Sequence, residues 1–141
     1  MRCASTQHGQ LCLPLRPPPA DGPSSAARAF TRQALAQWDL LATPPGRPHL
    51  AEDALLVLGE LVVNACRHGH GPAEVVLDSS PGIVRITVSD HNPDPPQRRD
   101  PVPGEPGGYG LRILDRLTTC WGVSPRAGGK AVWAQLDTGC G

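Results

Sequence analysis

The spacing of apolar residues changes period several times along the chain, and each change marks an element. Ala27, Phe30, Ala34, Leu35 and Trp38 recur at helical spacing. This predicts an amphipathic helix from Ala26 to Trp38, with Ser24 or Ser25 as its N-cap. Thr43 to Pro48 breaks the chain, and a second helix is predicted from His49 to His68. Leu50, Ala54, Leu58, Leu61 and Ala65 form its broad apolar face, and Gly69 followed by Gly71-Pro72 supplies the stop. The period then falls to two. Ala73 to Leu77 and Ile83 to Ser89 read as strands joined by Asp78-Ser79-Ser80-Pro81-Gly82, which has hairpin composition. In the second run Val84, Ile86 and Val88 alternate with Arg85, Thr87 and Ser89, the mark of an antiparallel strand with one buried face.

A third helix opens at Gly107-Gly108-Tyr109-Gly110, with Leu111, Leu114 and Leu117 on one side. Strands near Thr119 to Val123 and Lys130 to Leu136, joined through Gly128-Gly129, end the pattern, and Gln10 to Leu15 adds a short edge strand closed by Arg16 and Pro17 to Pro19. With no internal repeat, the helices are expected to share one face of a mixed, mostly antiparallel sheet, a two-layer α/β sandwich of the α+β class.

Composition narrows the setting. A chain of 141 residues has the size of one domain. Thirteen basic and thirteen acidic side chains cancel, and twelve of the basic ones are Arg. No basic field of the kind that binds nucleic acid or an anionic membrane is present, so direct nucleic-acid binding is not expected. Met1 to Leu15 lacks the apolar run and cleavage site of a secretory leader, and no stretch is long enough to span a bilayer, so a cytoplasmic location is expected. The five cysteines are scattered and contain no Cys-x-x-Cys pair, which points to reduced thiols. Asn92 to Pro106 holds six prolines and is neither helix nor central strand; a mobile lid and a plain linker both suit it.

Three polar residues interrupt the second helix. At about 100° per residue, Glu60, Asn64 and His68 fall within an arc of about 80°, one turn apart, beside the apolar face and with Leu56 and Val63 on the other flank. Such a stripe is either a solvated helix edge or the wall of a ligand site, because partly buried polar groups need partners. Cys66, His68 and His70 do not converge on a metal, since residues at i, i+2 and i+4 diverge on a helix and His70 lies past the stop. Mg²⁺ takes oxygen ligands and usually few protein groups together with phosphates, a role that suits the Asn64 amide oxygen. Glu60, one turn earlier, is placed to deprotonate a hydroxyl attacking a terminal phosphate.

Gly107-Gly108-Tyr109-Gly110 before a helix presents free N–H groups and the positive end of the helix dipole to phosphate oxygens, although a glycine run there also serves as a plain tight turn. It matches neither the Walker nor the dinucleotide fingerprint. Asp90, closing its strand, can accept a hydrogen bond from an exocyclic amine such as that of adenine, or can simply initiate the turn through His91-Asn92-Pro93.

The order Glu60-Leu61-Val62-Val63-Asn64-Ala65 with His68, then Val88-Ser89-Asp90, then Gly107-Gly108-Tyr109-Gly110-Leu111, resembles the anti-sigma-factor serine kinases of the RsbW/SpoIIAB type in the GHKL superfamily. The resemblance implies a Bergerat-type ATP site with Glu60 as general base and Asn64 on Mg²⁺. Asp90 would sit on the adenine amino group, His68 would line the pocket, and the turn from Gly107 to Leu111 would hold the phosphates. It implies residues 1–9 and 138–141 as tails around one histidine-kinase-like ATPase domain at 10–137. The implied function is to hold a sigma factor and phosphorylate a serine of a STAS-type anti-anti-sigma partner, with homodimers common; the alternative is a non-catalytic ATP-sensing binding module. Two departures stand out. The family's Asp-x-Gly-x-Gly appears as Asp90-His91-Asn92-Pro93-Asp94, where Asn92 can adopt the left-handed conformation a glycine would while Asp94 replaces the second glycine, and Ala131 is expected where relatives place a Thr beside the adenine pocket.

Overall fold

The computed structural model describes residues 9–41, 47–68, 70–94 and 110–139. The elements run β1 (Gly9–Pro14), α1 (Pro23–Gln37), α2 (Leu50–His68), β2 (Pro72–Ser80), β3 (Ile83–Asp90), α3 (Gly110–Leu117), β4 (Cys120–Arg126) and β5 (Gly129–Asp137). The strands form one sheet in the order β1-β2-β3-β5-β4. Alternation predicts a mostly antiparallel sheet, and all four pairings among the described residues are antiparallel. The β1 strand lies at an edge, as the prolines after it require.

The period-two pattern decides which face the helices cover. Val75 and Leu77 of β2, Val84, Ile86 and Val88 of β3, and Val132, Ala134 and Leu136 of β5 are at most 5% exposed and belong to one core. Over them lies α2, with α1 and α3 each in contact with it. Leu50, Ala54, Leu58, Leu61 and Ala65 are buried as the helical spacing predicts, and Leu55, Val57 and Val62 widen that face. The other flank of the polar stripe differs from expectation: Leu56 is 46% exposed and Val63 only half-buried. The stripe therefore runs along the boundary between core and solvent. Arg47 anchors the start of α2, pairing with Asp53 at 3.2 Å and donating to the Asp137 carbonyl at 2.8 Å.

Boundaries moved where local backbone chemistry outweighed side-chain pattern. Neither Ser24 nor Ser25 caps α1; Gly22 does, at φ 87, because Pro23 at the first turn has its φ preset for helix and starts it earlier. The β2–β3 hairpin is longer and tighter than its composition suggests, with β2 continuing to Ser80 and Gly82 at φ 78 in the turn. The predicted stop at Gly69 lies outside the described residues. Beyond it His70 (φ 61) and Gly71 (φ 91) are left-handed, and the Gly71 N–H donates to the Ala65 carbonyl.

On the outer face of the sheet, the Arg85 guanidinium lies 4.4 Å from the Trp133 ring centroid and donates to the Gln135 side chain. Gly122 pairs across from Trp133, and a Cβ there would meet the indole at 2.7 Å, so the bare backbone makes room for the ring. A closer approach occurs at Gly129, where a Cβ would sit 1.9 Å from the Asp90 carbonyl oxygen, a backbone atom that cannot swing aside. Gly129→Ala is expected to lower stability by about 1–3 kcal/mol, read as a fall in the urea midpoint, because the ends of β3 and β5 must separate. A variant within about 0.5 kcal/mol of the parent contradicts this account of the contact.

Candidate functional site

In β3 the alternation that buries Val84, Ile86 and Val88 carries on one step further and turns Asp90 to the same face. A carboxylate is thus delivered to the helix side of the sheet, beneath the C-terminal half of α2. Leu61, Asn64, Ala65 and His68 of α2, Val88 and Asp90 of β3, and Lys130 and Val132 of β5 line a recess of about 270 Å³, its open mouth included. Leu61, Ala65, Val88 and Val132 offer apolar flanks to a flat ring, while Asn64, His68, Asp90 and Lys130 supply the polar groups.

The floor of the recess is an ion pair. Lys130 and Asp90 are directly opposed in the β3–β5 register, and their side chains are 4% and 3% exposed. The Lys130 ammonium donates to Asp90 Oδ1 at 3.2 Å and to the Asn92 carbonyl oxygen at 2.9 Å, and lies 3.0 Å from Asp90 Oδ2 in an ion pair. Asp90 Oδ1 also accepts the Asn92 N–H at 2.9 Å. Asn92 in turn donates through its side-chain amide to the His68 carbonyl and accepts the Asp94 N–H at 3.0 Å. One residue therefore ties the end of β3 to the end of α2 and to β5. Breaking such a buried pair by removing one partner costs about 3–5 kcal/mol, since the other charge is left uncompensated.

Of the residues singled out in the sequence, Asn64, His68 and Asp90 meet at the recess, with Asn64 half-buried and the His68 side chain exposed. Glu60 stands one turn before Asn64, outside the lining, and is half-buried. Gly110 begins α3, whereas Leu111 is 8% exposed in the core and does not line the recess. Gly107, Gly108 and Tyr109 lie outside the described residues. Two points of the loop and pocket are decided by the geometry. Asn92 is not left-handed, since the described non-glycine residues with positive φ are Asp39 and His70; its side-chain hydrogen bonds hold the turn instead. Ala131 is out of phase with the recess, pairing with Ser89, and the neighbours that face inward are Lys130 and Val132.

Apolar walls beside a buried carboxylate are the chemistry that a base with an exocyclic amine requires, with one conflict: Asp90 already accepts a hydrogen bond from Lys130. Burial pushes the Glu60 carboxyl above its ordinary value, and Arg67, two turns along α2, partly opposes the shift. Desolvation disfavours the charged form and so favours a group that can hold as well as take a proton.

Residues 23–136 match the model of the family described as the histidine kinase-like ATPase domain, for which ATP binding is implied. No curated protein matches the chain. Among solved structures, the RsbU and RsbW domains of Rv1364c from Mycobacterium tuberculosis are similar at 19% identity with a TM-score of 0.60, over 92% of this chain. The chain spans 32% of that structure's length.

A carboxyl whose folded-state pKa lies above its unfolded value binds more protons when folded, so stability falls as pH rises through that interval and the deficit persists above it. Glu60→Gln is accordingly expected to be more stable than the parent at pH 7, with the difference closing as pH falls below the ordinary value of 4.5. Urea titrations at pH 7 and pH 4 check the sign, and a gap of equal size at both pH values contradicts the burial account.

Proposed function

The chain belongs to the histidine kinase-like ATPase domain family, and from that premise we propose that it is an ATP-binding anti-sigma factor and protein-serine kinase acting on a STAS-type anti-anti-sigma partner. The observation that carries this reading is the convergence of Asn64, one turn after Glu60 on α2, with Asp90 at the end of β3 around one apolar recess. In it, the base lies between Leu61, Ala65, Val88 and Val132 with its amine toward Asp90. Asn64 offers its amide oxygen to Mg²⁺ at the mouth, and His68 borders the pocket. The turn from Gly107 to Gly110 supplies backbone N–H groups to the phosphates. Glu60 accepts the proton of the attacking serine hydroxyl, which its raised pKa suits.

The order of motifs, the family and the RsbW domain in the name of the similar structure all favour a partner-switching role. The proposed setting is the cytosol, with residues 10–137 as the working domain, a sigma factor as the sequestered partner and a homodimer as the assembly. No helix among the described residues is long and apolar enough to cross a membrane. Cys12, Cys66 and Cys120 are free thiols, which suits a reducing compartment. A second reading, a non-catalytic ATP-sensing module, is favoured by the Lys130–Asp90 pair on the recess floor and by Asp94 in place of a loop glycine.

Labelled ATP and candidate STAS partners separate the two. Glu60→Ala is expected to lower phosphate transfer by about 10²–10⁴-fold, the usual contribution of a general base, while ATP binding persists. Parent and Glu60→Ala giving the same signal would remove the kinase and leave the binding module. Asn64→Ala is expected to abolish the part of ATP affinity that depends on added Mg²⁺, measured by calorimetry with and without the ion. An unchanged Mg²⁺ dependence would remove Asn64 from the metal.

A further inference from the structure

Lys130 is the only lysine in the chain, and its ammonium is buried at the floor of the recess. A lone ammonium at such a depth requires compensation, and it has it from three oxygens. The consequence for Asp90 is a matter of counting. An ionised carboxylate offers about four acceptor positions. Lys130 and the Asn92 N–H both donate to Oδ1, and the ammonium also lies 3.0 Å from Oδ2, so a further donor meets the Lys130 charge at either oxygen. The negative charge that makes the carboxylate a strong acceptor is also largely neutralised by its partner.

We infer that Lys130 is an internal competitor for the base-recognising carboxylate: its ammonium holds Asp90 where the amine of a bound nucleotide would, and a nucleotide must displace it to be read at that position. The inference rests on reading the recess as a nucleotide site. A lysine suits the role better than an arginine, because its charge is compact and its four-carbon stem rotates, so it can leave one acceptor for another. Its second anchor is the Asn92 carbonyl, the same residue that bridges Asp90, His68 and Asp94. Release of Lys130 thereby also frees the carbonyl of the turn that leads toward residues 95–109.

Two consequences follow for selectivity. With Asp90 occupied, the parent protein discriminates poorly between a base that carries the exocyclic amine and one that carries a carbonyl oxygen there. A short polar residue at 130 leaves Asp90 free to accept the amine, which raises both affinity and discrimination.

The test uses the full chain and ADP against inosine diphosphate, which differ at that group. By calorimetry, Lys130→Thr is expected to bind ADP about tenfold or more tightly than the parent, the size of one charge-assisted hydrogen bond, and to widen the preference for ADP over inosine diphosphate by a similar factor. Equal or weaker ADP binding by a folded Lys130→Thr would overturn the inference while leaving the nucleotide site standing. Absence of nucleotide binding in both proteins would overturn the site itself and the inference with it. Because Lys130→Thr leaves Asp90 buried without a cation and is open to failure of folding, the parent supplies an independent measurement. Its single lysine side chain is expected to be acylated slowly by an amine-reactive reagent and several-fold faster with ADP bound, followed by peptide mass spectrometry. An acylation rate that does not rise with saturating ADP overturns displacement.

Discussion

The site depends on one constraint, the phase that β3 and β5 share. Both strands alternate buried and outward residues, and the register that pairs Val88 with Val132 and Ile86 with Ala134 necessarily pairs Asp90 with Lys130 on the same, helix-covered face. A slip of one residue would move the whole apolar set to the outer face, so the core itself enforces the opposition of the two charges. Gly129 completes the constraint by letting the start of β5 come within contact of the Asp90 carbonyl. The ion pair is thus a product of packing decided elsewhere in the sheet. It need not add stability relative to an apolar pair to persist, since losing either member alone is the costly change.

Above this floor, α2 contributes by the other periodicity. Residues one turn apart on a helix share a direction, so Asn64 and His68 reach the recess only because Leu61 and Ala65, on the adjoining face, are held against the sheet. Glu60 follows the same line away from the recess into a half-buried position, where desolvation raises its pKa and Arg67 tempers the rise. The recess end of the stripe and its Glu60 end therefore sit in different environments along one helix. A rigid helix fixes their separation more firmly than a loop would.

Much of this was legible in the alternation of apolar residues. The helical run around Leu50 to Ala65 and the strand around Val84 to Val88 both appear where their periods place them, and the stripe was visible because polar residues are out of place there. Lys130 shows what was missed and which signal identifies it. It lies in phase with Val132, Ala134 and Leu136, so period two alone assigns it to the buried face, whereas Ala131, judged by motif position, falls on the other. Which charge it meets depends on register between strands 40 residues apart, and that is a tertiary fact. Backbone preorganisation explains another miss: Pro23 displaced the expected serine cap of α1, while Asn92 holds its turn by side-chain hydrogen bonds without the left-handed conformation open to it.

Asn92 and Asp94, where the resemblance implies loop glycines, affect more than conformation. Glycine at such positions leaves a loop free and gives it many states to lose when it closes over a ligand. Asn92 instead commits the turn in advance through hydrogen bonds to Asp90, His68, Asp94 and Lys130. That order lowers the entropy cost of presenting the recess, but any ligand that draws Lys130 away also removes one of the bonds that hold the turn. Base recognition and the turn are then linked through a shared partner, and the linkage is reciprocal: whatever loosens the turn from outside favours release of Lys130 by the same free energy that release of Lys130 loosens the turn. A protein partner that grips residues near Asn92 would, on this reasoning, alter nucleotide affinity without touching the nucleotide.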